Sequence, residues 1–349
     1  MGSDLARVVR AQQQGCEIGG SDLYTTVLEE VALDVGRGGP CARVLAAHAE
    51  EPVADAVVLR LLAAVHELVL AGEAPDLARH YPSVGGVPGA GVGEAFVAAV
   101  ADHRERVAER TAAPIQTNEV GRSAALLGGF LAVAAAGRPL RVLEVGASAG
   151  LNLRFDRFRY EAGGHALGPE GSPVVLRDPW VDRRPDLTGP VPVVERRGCD
   201  LRPLDPLDAG DRMRLRACLW PDQPDRRARL DGALAVAAEV PAPVDRADAA
   251  TWTEACLADP RPGVATVVVH SIVAQYLSPR TRRDLQRAVT RAGAAATPEA
   301  PVAWLRMEPS SVQEAEVRLT CWPADRARGP EGRVLAHSAF HGPPVRWEA

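Results

Sequence analysis

The chain of 349 residues contains no lysine, and every positively charged side chain in it is an arginine. P-loop nucleotide sites, Schiff-base enzymes and serine–lysine dyads all depend on a lysine amine, so the sequence excludes these three classes. Asparagine is nearly as scarce, because it occurs twice, as Asn118 and Asn152. Each asparagine lies in one of the two segments in which we expect chemistry.

Cysteine and long apolar runs are also scarce. The six cysteines are scattered, and no two of them form a C-x-x-C pair. This pattern favours free thiols in a reducing cytoplasm and argues against a metal site. No apolar run approaches the ~20 residues needed to cross a bilayer, and the N-terminus lacks the basic and apolar regions of a signal peptide. We therefore expect a cytoplasmic protein with no membrane partner.

The charge balance makes nucleic acid an unsuitable partner. The formal net charge is -5, whereas nucleic-acid binding depends on clustered positive charge. The arginine pairs lie among acidic residues and prolines, which is typical of a solvated surface. We expect a small-molecule substrate instead.

The hydrophobic period changes along the chain. Residues 1–112 have apolar residues at helical spacing, most clearly over Val53–Ala71, and show no alternation of period two. Beyond this region, short apolar segments alternate with helical ones, which predicts an α/β domain with a mostly parallel sheet covered on both faces. The predicted strands are 141–145, 191–197, 264–272, 302–307, 317–322 and 334–340, and 244–249 is a short strand or a turn.

We predict two domains from this pattern. A helical domain of residues 1–112 would cover a substrate or form a homodimer. An α/β domain of residues 113–349 would carry an inserted hairpin at about 158–178. The short link between the last two predicted strands indicates an antiparallel hairpin at one edge of the sheet.

The segment Arg141–Asn152 has the pattern of a buried strand, a small-residue turn and a following helix. The small residues Gly146, Ala147 and Gly150 let a ligand approach the backbone, and a helix start offers free N–H groups and a positive dipole end. Glu144 ends the strand, where a carboxylate can attract a cationic ligand or orient the turn from below.

A second polar segment, Gln116–Arg122, opens the helix that precedes this strand. Thr117 or Asn118 is a candidate N-cap of that helix. In an alternative interpretation, this helix start faces the small-residue turn, where Arg122 can pair with a ligand carboxylate.

The sequence Glu-Val-Gly-Ala-Ser-Ala-Gly-Leu-Asn resembles motif I of class I S-adenosylmethionine-dependent methyltransferases. That motif is an acid followed by G-x-G-x-G, and Ser148 stands here in place of its middle glycine. The resemblance implies a Rossmann-like methyltransferase sheet and S-adenosylmethionine as the cofactor. The cofactor contacts that it implies are Glu144, Gly146, Ala147, Ser148, Gly150 and Asn152, with Arg122 and Asn118 beside them.

Later segments resemble further motifs of the same superfamily. G-C-D-L-R-P resembles the second-strand acid motif, which implies that Asp200 holds the ribose hydroxyls, with Asp178 as a competitor. R-A-D-A resembles the third motif and implies that Asp248 contacts the adenine amino group. V-V-V-H-S-I-V-A-Q-Y-L-S-P resembles the fourth-strand motif beside the transferred methyl group.

His270 and Tyr276 are the candidate catalytic residues of this fourth segment. A histidine at the end of a buried strand can titrate near neutrality and accept a proton from an O- or N-methylated acceptor. The alternative for His270 is an ordinary core histidine. Tyr276 would form a wall of the acceptor pocket.

The motifs TNEVGR, GASAGLN, WPDQP and RMEP also resemble, over nearly the full chain, an actinobacterial family of uncharacterised proteins. We place that family within the methyltransferase superfamily. The resemblance implies the fold and the cofactor but no acceptor.

Two other functions are compatible with the same residues. Gly146–Gly150 is a G-x-S-x-G sequence, the nucleophile elbow of α/β-hydrolases. Ser148 would be the nucleophile, and Asp248 and then His270 or a late histidine follow in the expected order. That fold needs strands before the elbow, where the sequence predicts helices. The third possibility is a non-catalytic methyltransferase-like protein that binds a ligand.

Overall fold

The computed structural model describes residues 2–50, 56–311 and 313–349. The first residues of the helix predicted over Val53–Ala71 lie outside these ranges. The chain divides into two compact units: one contains the described residues up to Thr117 together with Ala209–Arg227, and the other contains Asn118–Asp208 and Ala228–Ala349.

The regular elements of the described residues follow the predicted change from helices to alternating strands and helices. The helices are α1 (Gly2–Ile18), α2 (Asp22–Arg37), α3 (Pro40–Ala46), α4 (Val57–Leu70), α5 (Pro75–Ala78), α6 (Val92–Asp102), α7 (Arg104–Thr111), α8 (Arg122–Ala134), α9 (Ala209–Ala217), α10 (Pro224–Glu239), α11 (Ala249–Leu257) and α12 (Pro279–Ala295). The strands are β1 (Leu140–Val145), β2 (Arg159–Ala162), β3 (His165–Leu167), β4 (Val175–Arg177), β5 (Val193–Asp200), β6 (Val244–Arg246), β7 (Ala265–Ser271), β8 (Val302–Pro309), β9 (Ala315–Trp322), β10 (Arg333–Ala339) and β11 (Gly342–Trp347).

In the described part of the helical unit, α1–α7 and the segment that contains α9 share an apolar core. Ser21 caps α2, because its side chain accepts a hydrogen bond from the Tyr24 amide at 3.2 Å. The Ser21 hydroxyl also donates to the Asp222 carboxylate at 2.8 Å. This contact, together with the 3.1 Å contact between His66 Nδ1 and the Ala217 carbonyl, joins the later segment to the helical unit. The predicted division near residue 112 did not include that segment.

None of the helices within the described ranges combines the length and the apolar character that a membrane span requires.

Eight strands of the described chain form the main sheet, in the order β11-β10-β9-β8-β7-β1-β5-β6. The pairs β6–β5, β5–β1, β1–β7 and β7–β8 are parallel, and the pairs from β8 to β11 are antiparallel. The prediction of an α/β fold with a mostly parallel sheet is therefore confirmed. The antiparallel edge is larger than the predicted hairpin, because β11 adds a further strand.

The insertion predicted as a hairpin at 158–178 is a small three-stranded sheet of order β3-β2-β4. The strands β2 and β3 form the expected antiparallel hairpin, and β4 pairs with β2 in parallel. The hairpin prediction was therefore incomplete, because a parallel partner that is distant in sequence leaves no local turn signal.

Helix α8 packs against the segment that follows β1 through a stacked aromatic pair. The Phe130 and Phe155 rings lie 3.9 Å apart between centroids, with an angle of 9° between their planes. Both side chains are buried. This stack supports the far end of the turn that follows β1.

We predict that Phe155→Ala lowers the free energy of unfolding by ~3–5 kcal/mol, because the removed ring leaves a cavity beside Phe130. Val194→Ala is the control, since Val194 is 61% exposed on β5 and an exposed substitution changes stability by no more than ~0.5 kcal/mol. Chemical denaturation of both variants measures the difference. Equal stability of the two variants would contradict this view of the core.

Candidate functional site

The strand order reverses at β1. From β1 the chain adds β5 and then β6 on one side, and later adds β7 and β8 on the other side. In open parallel sheets, ligands bind beyond the carboxyl ends of the strands at such a reversal point. The residues that follow β1 at this point are the turn Gly146–Gly150, which we call the cradle loop.

The backbone of the cradle loop requires small residues. Gly146 has a φ of 68°, and a Cβ at this residue would lie 2.4 Å from Val273 Cγ2. Gly150 has a φ of 65°, and a Cβ there would lie 2.9 Å from Val244 Cγ2. Ser148 has a φ of 54°, a left-handed conformation that costs a non-glycine residue ~1–2 kcal/mol. The loop is therefore both closely packed and strained.

Asp200, at the end of β5, holds the cradle loop in place. Its Oδ2 accepts a hydrogen bond from the Ser148 amide at 3.0 Å, and its Oδ1 accepts one from the Arg202 amide at 2.9 Å. The preceding residue also contributes, because the Cys199 carbonyl accepts from the Gly146 and Ala147 amides at 2.8 and 3.0 Å. The structure thus brings Asp200 to the loop, whereas the competitor Asp178 is exposed after β4.

The segment after the loop is a 3₁₀-helix, Leu151–Arg157, with non-helical angles at Arg154. The predicted regular helix with free N–H groups is therefore wrong at this place. Asn118 Oδ1 accepts a hydrogen bond from the Leu151 amide at 3.0 Å, and the Gly150 amide donates to the Ala147 carbonyl at 2.7 Å. These bonds occupy the Gly150 and Leu151 amides, two of the donors at the start of this helix.

The two asparagines of the chain form a link between both predicted segments. Asn118 caps the 3₁₀-helix rather than α8, whose N-cap residue Gly121 has no side chain to offer. Asn152 Nδ2 in turn donates to the Glu119 carbonyl at 3.1 Å. The sequence allows two interpretations of the Gln116–Arg122 segment, a helix cap and a segment that faces the loop. The contacts of Asn118 agree with the second interpretation.

Glu144 is buried one residue before the end of β1, with 4% of the residue exposed. Burial raises the pKa of this carboxyl to about 8, while the positive charges of Arg122 and Arg154 act in the opposite direction. Arg122 donates to the Phe340 and Ser271 carbonyls, and Arg154 donates to the Gly150 and Val240 carbonyls. The carboxyl therefore lies in the field of two guanidinium groups that are anchored elsewhere.

Four buried side-chain atoms near the carboxyl ends of β1 and β7 have no hydrogen-bond partner among the described residues. They are Glu144 Oε2, Ser148 Oγ, Asn152 Oδ1 and His270 Nε2. Native proteins pair nearly all buried polar groups with protein, water or ligand. Each of these atoms can accept a hydrogen bond, so the region fits a partner that brings donors.

His270 lies on β7 beside Glu308, with His270 Nδ1 2.6 Å from Glu308 Oε1. The register pairs Glu144 with Val269, and successive residues of a strand point to opposite faces. His270 therefore lies on the face opposite to Glu144, and the two side chains flank the same end of the sheet. Glu308 belongs to the RMEP motif, but sequence reasoning did not identify it as a site residue.

Asp248 and Tyr276 occupy different surroundings. Asp248 is the N-cap of α11, and its Oδ1 accepts from the Ala250 and Thr251 amides at 3.0 and 3.1 Å. The Ala247 amide donates to the Asp200 carbonyl at 3.0 Å, which brings this segment beside the cradle loop's anchor. Tyr276 lies in a short 3₁₀-helix after β7 and is 49% exposed.

A family model described as "Uncharacterized protein conserved in bacteria (DUF2332)" matches residues 6–347. The chain therefore belongs to this family. No curated protein and no solved structure matches the chain.

We predict that Glu144→Gln changes how stability depends on pH. The folded protein keeps Glu144 protonated up to about pH 8, whereas an unfolded chain ionises it near pH 4.5. The raised pKa therefore favours folding below pH 4.5, and this contribution falls by about 1.4 kcal/mol per pH unit as pH rises toward 8. Glutamine removes the titration.

Urea denaturation at about pH 6 and pH 8 measures this effect. The stability of Glu144→Gln relative to the natural protein should be greater at the higher pH than at the lower one. Glu254→Gln is the control, because Glu254 is an exposed partner of Arg291. A pH-independent difference for Glu144→Gln would show that this carboxyl does not titrate in the range.

Proposed function

We propose that the chain is an S-adenosylmethionine-dependent methyltransferase that acts on an oxygen or nitrogen of a small molecule. The parallel part of the sheet supports this proposal. In sequence order its strands run third, second, first, fourth and fifth across the sheet, which is the doubly wound order of nucleotide-binding folds. The motif I resemblance lies at the reversal point of that order.

The hydrogen-bond inventory of the cradle loop carries the proposal. Of the six amides from Gly146 to Leu151, five donate to protein oxygens, and only the Ala149 amide has no protein acceptor among the described residues. A pyrophosphate-binding loop needs such amides free, so a dinucleotide is poorly matched. The unpartnered atoms are acceptors, which match the ammonium and hydroxyl donors of a nucleoside with an amino-acid tail.

The residues present fit the cofactor in three places. Asp200 retains further lone pairs on both carboxylate oxygens for ribose hydroxyls. The amide bonds of Asp248 fall on Oδ1, which leaves Oδ2 available for an adenine amino group. Glu144 Oε2 and Asn152 Oδ1 are acceptors for the ammonium. The positive charge of the ligand would favour the ionised form of Glu144, whose pKa burial raises to about 8.

When bound, S-adenosylmethionine supplies a methyl group on a sulfonium, and the carbon–sulfur electron pair stays on sulfur when the acceptor takes the methyl group. The chain's own contribution is to orient the two reactants and to accept the proton that the acceptor loses. His270 Nε2 is the candidate base, since it is buried and has no partner among the described residues. Tyr276 stays a candidate for the acceptor pocket.

We predict saturable binding of S-adenosylhomocysteine with a dissociation constant between about 1 μM and 1 mM, a range typical of enzyme ligands. Asp200→Asn should weaken it about tenfold to a hundredfold, because a charged hydrogen bond is lost. Isothermal titration calorimetry measures both values. Asp205→Asn is the control, as this exposed carboxylate binds the Leu207 amide outside the loop.

Absence of heat and of any thermal shift with S-adenosylhomocysteine up to millimolar concentration would remove this proposal. Binding that is unchanged in Asp200→Asn would place the ligand elsewhere. Binding that persists without any methylated product in an acceptor screen would favour the non-catalytic binding protein.

Ser148 gives one specific reason to consider a serine hydrolase as a second candidate. Its positive φ and its buried, unpartnered Oγ match the strained serine of a nucleophile elbow. Against this function, no strand precedes β1 within the described residues 2–50 and 56–139. The Ser148 amide, moreover, is bonded to Asp200.

A fluorophosphonate probe separates the two candidates. The methyltransferase proposal predicts no labelling of Ser148, since its hydroxyl has no hydrogen bond to a base among the described residues. Mass spectrometry of the probe-treated protein identifies any labelled residue, with Ser148→Ala and Ser123→Ala as a matched pair. Labelling that is lost in Ser148→Ala and retained in Ser123→Ala would establish the hydrolase instead.

A further inference from the structure

Glu308 makes three contacts with the end of β7 and the turn that follows it. Its Oε1 accepts a hydrogen bond from the Val273 amide at 3.1 Å and lies 2.6 Å from His270 Nδ1. Its Oε2 accepts from the Ala274 amide at 3.2 Å. One carboxylate from β8 therefore holds both a candidate base and the backbone beside it.

These contacts determine which ring nitrogen of His270 carries the proton. Backbone amides can only donate, so both oxygens of Glu308 act as acceptors toward Val273 and Ala274. The short contact to His270 then requires a donor on the imidazole side, which is Nδ1–H. A neutral imidazole with a proton on Nδ1 has its lone pair on Nε2.

The same carboxylate also fixes one wall of the cradle loop. Ile272 has a φ of 54°, an unfavourable conformation for a β-branched residue. The amide bonds of Glu308 to the next two residues offset this strain. These bonds hold the Val273 side chain against Gly146. A Cβ added to Gly146 would lie 2.4 Å from Val273 Cγ2.

We propose that Glu308 is a positioning residue that acts through His270 and Val273. It holds His270 as the Nδ1–H tautomer, with the Nε2 lone pair ready to accept a proton, and it keeps the turn closed over Gly146. The use of that lone pair as a base rests on the methyl transfer proposed above, whereas the tautomer and the turn geometry do not.

The tautomer can be measured on the full chain without ligand. Histidine-selective ¹⁵N labelling and two-bond ¹⁵N–¹H correlations at about pH 8 report which nitrogen is protonated. The His270 signals are identified by their absence in His270→Gln. We expect Nδ1–H in the natural protein and loss of this single-tautomer pattern in Glu308→Gln.

Glu316→Gln is the matched control. Glu316 lies opposite Glu308 in the β8–β9 register and has the same 19% side-chain exposure, but it pairs with Arg318. It should leave the His270 tautomer unchanged. Hydrogen exchange gives a second measurement, in which the Val273 and Ala274 amides exchange about tenfold faster in Glu308→Gln than in Glu316→Gln.

The proton on Nε2 in the natural protein would overturn the proposal, and this measurement needs a folded variant, His270→Gln, only to assign the signals. An unchanged tautomer in a folded Glu308→Gln protein would also overturn it. Failure of S-adenosylhomocysteine to bind would instead remove the proposed function and leave the positioning by Glu308 intact. The two proposals therefore fail separately.

Discussion

The hydrogen bond from the Ser148 amide to the Asp200 carboxylate is the interaction on which the candidate site depends. A bond to a charged acceptor contributes ~1.5–3 kcal/mol, which is enough to offset the ~1–2 kcal/mol that the left-handed conformation of Ser148 costs. The bond also joins the ends of β1 and β5. Without it, the strain at Ser148 would lose this offset, and the loop would be held by the bonds of Cys199 and Asn118 on either side.

Glu144 shows that this region is not arranged for stability alone. Glu144 Oε2 is buried and has no partner within the described part of the chain, which disfavours the folded state at neutral pH. An apolar residue at this position of β1 would avoid that cost. The positive charges of Arg122 and Arg154, which donate to backbone carbonyls, reduce this cost. A cationic ligand would supply the missing opposite charge, which gives a physical reason for the residue at this position.

Local patterns in the sequence predicted the parallel strands and one acidic residue of the candidate site. Apolar runs located the parallel strands, and an acid after one such run located Asp200. The contacts that it missed join distant segments: Glu308 lies 38 positions from His270, and Asn118 lies 33 positions from the amide that it caps. Strand β11 was missed because Pro343 and Pro344 lack the N–H that a central strand needs, while an edge strand tolerates them.

The alternation of side chains along the strands sets a condition on any reaction at this end of the sheet. Glu144 and the two arginines around it lie on one face, whereas His270 and Glu308 lie on the other, beside Trp304. A ligand held by Glu144 would have to extend past Gly146 to bring a second molecule near Nε2 of His270. The turn that carries Val273 lies against Gly146 on this path. The geometry of that turn would therefore control whether Glu144 and His270 can act on the same pair of reactants.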